Sequence, residues 1–240
     1  MNYKISCIIS CYNEEKNIPK LLKNVKEFNL DKDIKFIIVN NGSSDNSKVI
    51  IKPLSKRYKS IKFINLKHNK GWGNGIREGL KRTKTKIVGW THGDLEYKIS
   101  DLLKVIKIIK SNLNYFEKEK NYYIKGQRIN RSLIKSIISK TMSIVCSIIL
   151  LKPLKEINAQ PFFFNIEEFK SWRKIPLDLS LDLFAYYKLH GKNSKSFRIN
   201  VEQSERIHGE SSWNKSFFSK FNLSALFIKR AIQIKLCQYL

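Results

Sequence analysis

Short apolar runs of strand length, each closed by a polar turn and followed by a helix-like segment, constrain the fold of this chain more than any other feature. Lys4–Ser10 (KISCIIS), Ile34–Val39 (IKFIIV), Ile61–Leu66 (IKFINL) and Lys86–Trp90 (KIVGW) are such runs. Their length and polar boundaries mark buried strands. After the first run, Ile18, Leu21, Leu22 and Val25 recur at helical spacing through about Phe28, with Pro19 tolerable in the first turn. After the second, Ser44 or Asp45 is placed to cap a helix. Strands alternating with helices predict an α/β chain with a mostly parallel central sheet and helices on both faces.

The second half is less regular. Tyr122–Gln127 and Ser196–Val201 read as strands, and Ala185–Leu189 as part of a helix. From Arg131 to Leu151 runs a long helix on which Ser132, Ser136, Ser139, Lys140, Ser143 and Ser147 form a narrow polar stripe. Ile134, Ile137, Ile138, Met142, Val145, Ile148 and Ile149 surround it. So wide an apolar face needs burial in protein or in a membrane interface, and the sequence does not choose between them. Ser216–Leu240 mixes Phe217, Phe218, Phe221, Leu226, Phe227 and Ile228 with Lys220, Lys229, Arg230 and Lys235. That pattern suits a basic amphipathic helix at a lipid surface, or a helix that closes the fold. The expected division is therefore a domain over 1–215 and a C-terminal helix over 216–240.

At 240 residues, 42% hydrophobic and 12% aromatic, the chain has the means to build a core. The net charge of +26 attracts phosphates, anionic lipid or nucleic acid; no nucleic-acid recognition motif is present, so that partner is not expected. Cys7, Cys11, Cys146 and Cys237 show no metal spacing and read as inert thiols in a reducing cytoplasm. His68, His190 and His208 show no pairing pattern and read as surface or hydrogen-bonded groups. The N-terminal apolar run is too short for a signal peptide, and the longest uninterrupted apolar runs are too short for a membrane span.

Chemistry is expected where strands end, because loops at the carboxyl ends of a parallel sheet share one crevice. Ser10-Cys11-Tyr12-Asn13-Glu14 follows the first strand, Asn40-Asn41-Gly42-Ser43-Ser44-Asp45 the second, and His92-Gly93-Asp94 the fourth. Asp94 on such a turn can hold a hard cation, and the cation a diphosphate. The glycines at 71, 73, 75 and 79 form neither a dinucleotide fingerprint nor a phosphate loop.

In this order and spacing the segments resemble family-2 glycosyltransferases. Ile8–Glu15 is similar to that family's opening strand with Y-N-E-E, Val39–Ser47 to its D-D-G-S-x-D-x-[ST], and Asn69–Gly79 to its N-x-G-x-G-x-A-x-x-x-G. Gly126-Gln127-Arg128, Asn158-Ala159-Gln160-Pro161, Leu181-Asp182-Leu183 and Arg206-Ile207-His208-Gly209-Glu210-Ser211 resemble later motifs of the dolichyl- or polyprenyl-phosphate sugar synthase branch. The resemblance implies a GT-A fold, whose mostly parallel central sheet has helices on both faces. It also implies transfer of a sugar from a nucleotide-sugar, with inversion, to a polyprenyl phosphate or a membrane-associated glycan precursor. The setting implied is cell-envelope polysaccharide synthesis at the cytoplasmic face of an anionic membrane surface.

Carried onto this chain, Ser10, Tyr12 and Glu14 line the nucleoside pocket and Asn41 faces the base. Ser43, Asp45, Lys70, Gly71, Glu96 and Gln160 belong to the donor-binding set, and Arg128 and Arg206 hold phosphates. Asp94 binds Mg²⁺ or Mn²⁺ and is catalytic through it, with His92 as a second ligand. The family's D-x-D is here His92-Gly93-Asp94 and its D-D is Asn40-Asn41, which tilts the metal toward Mn²⁺ and leaves the nucleotide open. Ser212-Trp213 stands where relatives carry S-K. A lipid-phosphate acceptor arrives ionised; a hydroxyl acceptor needs a base, for which Asp182 is the candidate, unless it serves only the helix dipole. The departures at His92 and Asn40 also motivate a rival: a GT-A scaffold that binds nucleotide or lipid without turnover.

Overall fold

The computed structural model describes residues 4–191, 193–206, 208 and 217–236, with residues 217–221 described by backbone alone. The first half alternates as expected: β1 (Ile5–Cys11), α1 (Asn17–Glu27), β2 (Ile34–Asn41), α2 (Ser47–Arg57), β3 (Ile61–Leu66), α3 (Trp72–Leu80) and β4 (Ile87–His92). Then come α4 (Leu102–Ser111), α5 (Leu113–Lys118), β5 (Tyr122–Ile129), α6 (Leu133–Leu150) and β6 (Phe162–Asn165). The described chain finishes with α7 (Ile166–Lys170), α8 (Leu181–Leu189), β7 (Lys195–Glu202) and α9 (Phe217–Leu236).

Among the described residues the strands form one sheet in the order β3-β2-β1-β4-β6-β5-β7. All neighbours are parallel except β6, which runs antiparallel between β4 and β5. The chain steps outward from β1 through β2 to β3, then returns to place β4 on the other side of β1. That reversal leaves a crevice at the carboxyl ends of β1 and β4, the point at which open sheets hold ligands.

Side chains alternate across each strand, so the sheet builds a core on either face. Cys7 and Ile9 pack with Ile18, Leu21 and Val25 of α1 and with Leu102, Val105 and Ile109 of α4. Ile8 and Trp90 face the other way, onto Ile76 of α3, Leu183 of α8 and Phe227 of α9. A mostly parallel sheet with helices on both faces is therefore present.

Strands β1, β2 and β4 run further than their apolar stretches, because pairing carries on into the polar ends: Cys11 sits opposite Asn40, and Ser10 opposite His92. Four elements lie outside the sequence-based expectation: the short helices α5 and α7, and two more, α4 and β6. In α4, Leu102, Val105, Ile106 and Ile109 do keep helical spacing. Strand β6, only four residues long and buried throughout, shows no period to read.

The long helix α6 takes an orientation that its composition alone did not choose. Ser143, Cys146 and Leu150 are its buried residues, so part of the serine stripe turns inward. Ser147 Oγ accepts from Leu154 N (2.9 Å) and donates to Ser143 O (2.6 Å). Although no uninterrupted apolar run marks it, α6 has the length and apolar composition to cross a membrane, with a mean hydropathy of 1.8. C-terminal α9 packs against α6 and α8 and buries Phe227, Ala231 and Ile234. Phe217, Phe218, Lys220, Phe221 and Cys237 carry expectations that lie outside the described side chains, as do Ile207, Gly209-Glu210-Ser211 and Ser212-Trp213.

Candidate active site

The loops after β1 and β2 are fastened to each other by side chain to backbone hydrogen bonds. Asn13 N donates to Ser43 Oγ, Glu14 N to Ser47 Oγ and Glu15 N to Asp45 Oδ2, each at 3.0 Å. In return Ser44 N donates to Asn13 Oδ1 (2.9 Å) and Asn46 N to Glu15 Oε2 (2.9 Å). Ser43 and Asp45 thus spend hydrogen-bonding capacity on shaping the crevice wall, and the neighbouring Tyr12 remains 46% exposed.

Helix α3 closes in behind. A Cβ on Gly75 would stand 2.0 Å from Ser10 Oγ, so only glycine lets this helix approach β1 so nearly. Gly71 has φ +102°, and a Cβ there would meet Leu177 O at 2.3 Å. Buried Asn41 donates through Nδ2 to Gly71 O (2.9 Å) and Asn69 Oδ1 (3.1 Å), while its Oδ1 has no partner among the described residues. An unpaired buried acceptor at this place suits a ligand that brings an N–H or O–H donor. Lys70 is exposed beside this turn.

At the tip of β4, Asp94 is 4% exposed. Its Oδ1 accepts from Glu96 N (3.1 Å) and its Oδ2 from Arg206 Nη2 (2.7 Å). Arg206 also donates through Nε to Glu96 Oε1 (2.8 Å), and its Nη1 lies 4.0 Å from Glu14 Oε1. One guanidinium thereby neutralises carboxylates from the β1 and β4 loops. Burial raises the Glu14 carboxyl, the Asn17 hydrogen bond lowers it, and Asp94 adds to the rise while Arg206 opposes it. Gln203 Nε2 donates to Glu96 Oε2 (2.9 Å), and Arg128 Nη1 reaches Gln203 Oε1 (3.4 Å) while its Nε pairs with Glu156 Oε2 (2.5 Å). Arg128 therefore connects to the crevice through Gln203 and Glu96. The backbone O of His208 accepts from Asn17 Nδ2 (3.2 Å).

His92 is held between two rings, stacked on Trp72 (4.9 Å between centroids) and on Tyr97 (6.2 Å). Its Nδ1 lies 3.9 Å from Asp94 Oδ2. Among the described residues no third His, Cys, Asp or Glu joins them into a metal-binding group. An imidazole and a carboxylate are donor types that a divalent ion takes, and here the carboxylate is engaged by Arg206.

Asp182 sits behind this front, 2% exposed. Its Oδ1 accepts from Trp90 Nε1 (2.8 Å) and Gln160 Nε2 (3.0 Å), and Gln160 Nε2 lies 2.8 Å from Oδ2. Burial raises this carboxyl, against Lys125, His92, Trp90 and Gln160. Fully buried Lys125 donates to Ile157 O (2.8 Å) and Ala159 O (2.9 Å), and desolvation brings its ammonium down to about 7.

Expected site residues Ser10, Tyr12, Glu14, Asn41, Ser43, Asp45, Gly71, His92, Asp94, Glu96 and Arg206 thus gather around one crevice. Arg128 reaches it through Gln203, whereas Gln160 and Asp182 lie in the layer beneath. Trp72, Tyr97, Gln203 and Lys125 were not singled out from the sequence. Trp72 stands inside a motif that was read and Tyr97 directly follows Glu96, whereas Gln203 and Lys125 carry no local mark.

A family model described as glycosyl transferase family 2 matches residues 6–163. A dolichyl-phosphate beta-glucosyltransferase of Trichomonas vaginalis is 30% identical over 160 residues, covering 59% of this chain and 47% of that protein. A poly-beta-1,6-N-acetyl-D-glucosamine synthase of Staphylococcus epidermidis is 36% identical over 85 residues, 35% of this chain and 20% of that protein. The matched stretches span less than half the length of these curated relatives. Among solved structures, glucosyl-3-phosphoglycerate synthase from Mycobacterium tuberculosis, in complex with Mn²⁺, uridine diphosphate and glucosyl-3-phosphoglycerate, superposes with a TM-score of 0.67. That likeness covers 98% of this chain and 80% of the other at 12% identity, and so speaks for the fold.

Proposed function

The chain belongs to glycosyl transferase family 2 and has the GT-A fold, and from that premise we propose that it moves a sugar from a nucleotide-sugar onto a polyprenyl phosphate, with inversion. The acceptor class is taken from the matching dolichyl-phosphate beta-glucosyltransferase, and in this reading the enzyme works peripherally at the inner face of a membrane. One observation carries the reading: the tips of β1, β2 and β4 meet, with Asp94 buried where Glu14, Glu96 and Arg206 converge.

In this reading Tyr12 and Asn41 receive the nucleoside, the unpaired Asn41 Oδ1 accepting a donor from the base. Arg206, a cation already inside the crevice, turns from the carboxylates to the diphosphate as the donor enters. A divalent metal held by Asp94 and His92 would supply Lewis-acid stabilisation of the charge growing on the leaving oxygen. The stacking of Trp72 and Tyr97 fixes His92 for that task.

The acceptor then attacks the anomeric carbon as the nucleoside diphosphate departs. Asp182 bears on which acceptor this is. A general base must reach the proton that it removes, yet Asp182 is buried and engaged by Trp90 and Gln160. Its position supports a nucleophile that is ionised on arrival, as a lipid phosphate is, over a sugar hydroxyl. Asp182 then positions Trp90 and Gln160 beneath the crevice.

A thermal-shift screen of nucleotide-sugars with and without Mn²⁺ or Mg²⁺ tests the donor half. A ligand at a hundred times its Kd stabilises the fold by about 2.7 kcal/mol. Transfer to polyprenyl phosphate, compared with a hydroxyl-ended glycan precursor, tests the acceptor half. If no nucleotide-sugar stabilises the protein under any metal condition, the reading fails. The scaffold reading draws on the Arg206–Asp94 pair and on His92 in place of a carboxylate; it expects nucleotide binding that is indifferent to Mn²⁺, with no turnover.

A further inference from the structure

We propose that the outward face of α6, together with the exposed edge of α9, seats this protein on an anionic lipid surface. Leu133, Ile134, Ile137, Ile144, Ile148 and Leu151 are between 59% and 81% exposed. At about 100° per residue, all but Ile134 fall within roughly 60° of one another around the helix. They make one continuous stripe, extended by Ile232 (45%) and Leu236 (58%) on α9. Contiguous exposed apolar surface of this kind marks an interaction site.

The helix departs from an ordinary surface helix, being apolar on its outward face as well as on the side of Met142, Cys146, Ile149 and Leu150 that packs against the core. Cys146 and Leu150 anchor it to the core, and Ser147 is tied to Leu154. The exposed Ile134, Ile137, Ile144 and Ile148 cannot reach the interior without breaking those contacts. A shallow groove of about 250 Å³ between α6 and α9, walled by Ile137, Met142, Val145 and Ile228, gives hydrocarbon a place to enter.

Charge selects the occupant. Neither α6 nor α9 contains an aspartate or glutamate, while Lys135 and Lys140 on α6 and Lys229 on α9 stand in a chain of net charge +26. An anionic headgroup layer complements that rim, and hydrocarbon complements the stripe. A second copy of the chain would bring like charges together around the same apolar patch, which disfavours self-association. Placement fits as well. Helix α6 starts just beyond β5, whose Arg128 joins the crevice through Gln203, and Lys135 in its first turn lies 3.9 Å from Glu205, the neighbour of Arg206. A lipid-seated α6 therefore sets the crevice beside the headgroup level.

The inference deepens the membrane location in the proposed function, and co-sedimentation of the full chain with phosphatidylcholine vesicles, with and without phosphatidylglycerol, tests it without donor or turnover, so its failure removes that location and leaves the sugar-transfer reading intact. Wild type is expected to sediment with the anionic vesicles and to be released by salt. The double variant Ile137→Ser/Ile148→Ser should lose at least tenfold in partitioning with an unchanged thermal midpoint. Lys140→Glu should lose severalfold on anionic vesicles alone, and decides the matter should the double variant be unstable. The proposal is overturned if wild type stays in the supernatant with both vesicle types, or if the stable variants bind as wild type does. It is also overturned if size-exclusion with light scattering shows a dimer that the double variant dissolves, which would assign the face to a second copy.

Discussion

Two regions of this molecule break the usual division of apolar inside and polar outside, and they break it in opposite directions. At the tips of β1, β2 and β4, carboxylates, amides and a guanidinium are drawn inward and almost every one has a named partner. On α6, Ile134, Ile137, Ile144 and Ile148 are turned outward while Ser143 takes the interior side. A buried polar group or an exposed apolar patch is more informative than the reverse, because each costs stability that only a ligand or a partner recovers. The first region suits a charged ligand; the second suits a hydrocarbon surface. What separates them is the kind of solvent that each excludes.

Asp94→Ala gives the largest expected effect. Turnover with a labelled nucleotide-sugar should fall by about 10²–10³, the scale of losing one preorganised electrostatic contact, while Arg206 keeps Glu96 and Glu14. Undiminished turnover would detach the buried polar front from the reaction. Asp182→Ala comes next and separates positioning from catalysis. It leaves Trp90 Nε1 without its acceptor, so urea unfolding should show a loss of about 1–3 kcal/mol, while folded enzyme still transfers to an ionised acceptor. A drop of about 10²–10⁴ in kcat at unchanged stability would instead make Asp182 the base.

Lys125 offers a pH test of the layer beneath the crevice. Its folded-state value of about 7 lies below the ordinary lysine value, so between these the unfolded chain binds the extra proton. Stability from this group therefore rises as pH increases from about 7 toward 10, where both states become neutral. The melting temperature of wild type relative to Lys125→Met should climb between pH 7 and pH 9.5; a flat difference would show that the ammonium stays charged in the folded protein. The smallest effect contrasts neighbours on α6. Ser147→Ala removes the acceptor of Leu154 N and should cost about 1–2 kcal/mol, whereas Ile148→Ser at an exposed position should stay within about 0.5 kcal/mol. Should the serine change prove neutral and the isoleucine change costly, this orientation of α6 would be wrong.

The first half of the fold was legible because its signals are local. Apolar runs located β1 to β4, and helical spacing in Ile18, Leu21, Leu22 and Val25 located α1. Strand ends were harder, since pairing across the sheet and not composition keeps Asn40, Asn41 and His92 within β2 and β4. The antiparallel β6 is a pairing partner for β4 and β5, and a short buried run does not reveal its direction. Within the site, Tyr12, Asn41, Asp94 and Arg206 carried motif signals. The stacking of Trp72 on His92, and the link from Arg128 through Gln203, join segments too far apart for any spacing rule.

By itself the sequence determined the alternating architecture, the concentration of polar residues at strand ends and the supply of a wide apolar helix. Each follows from a periodicity or turn chemistry that a few neighbouring residues enforce. Only the tertiary structure decided which face of α6 points outward, that Arg206 closes on Asp94, and that Asp182 is sealed beneath Trp90. Those outcomes depend on which distant surfaces compete for the same contact, and a linear string of residues does not contain that competition.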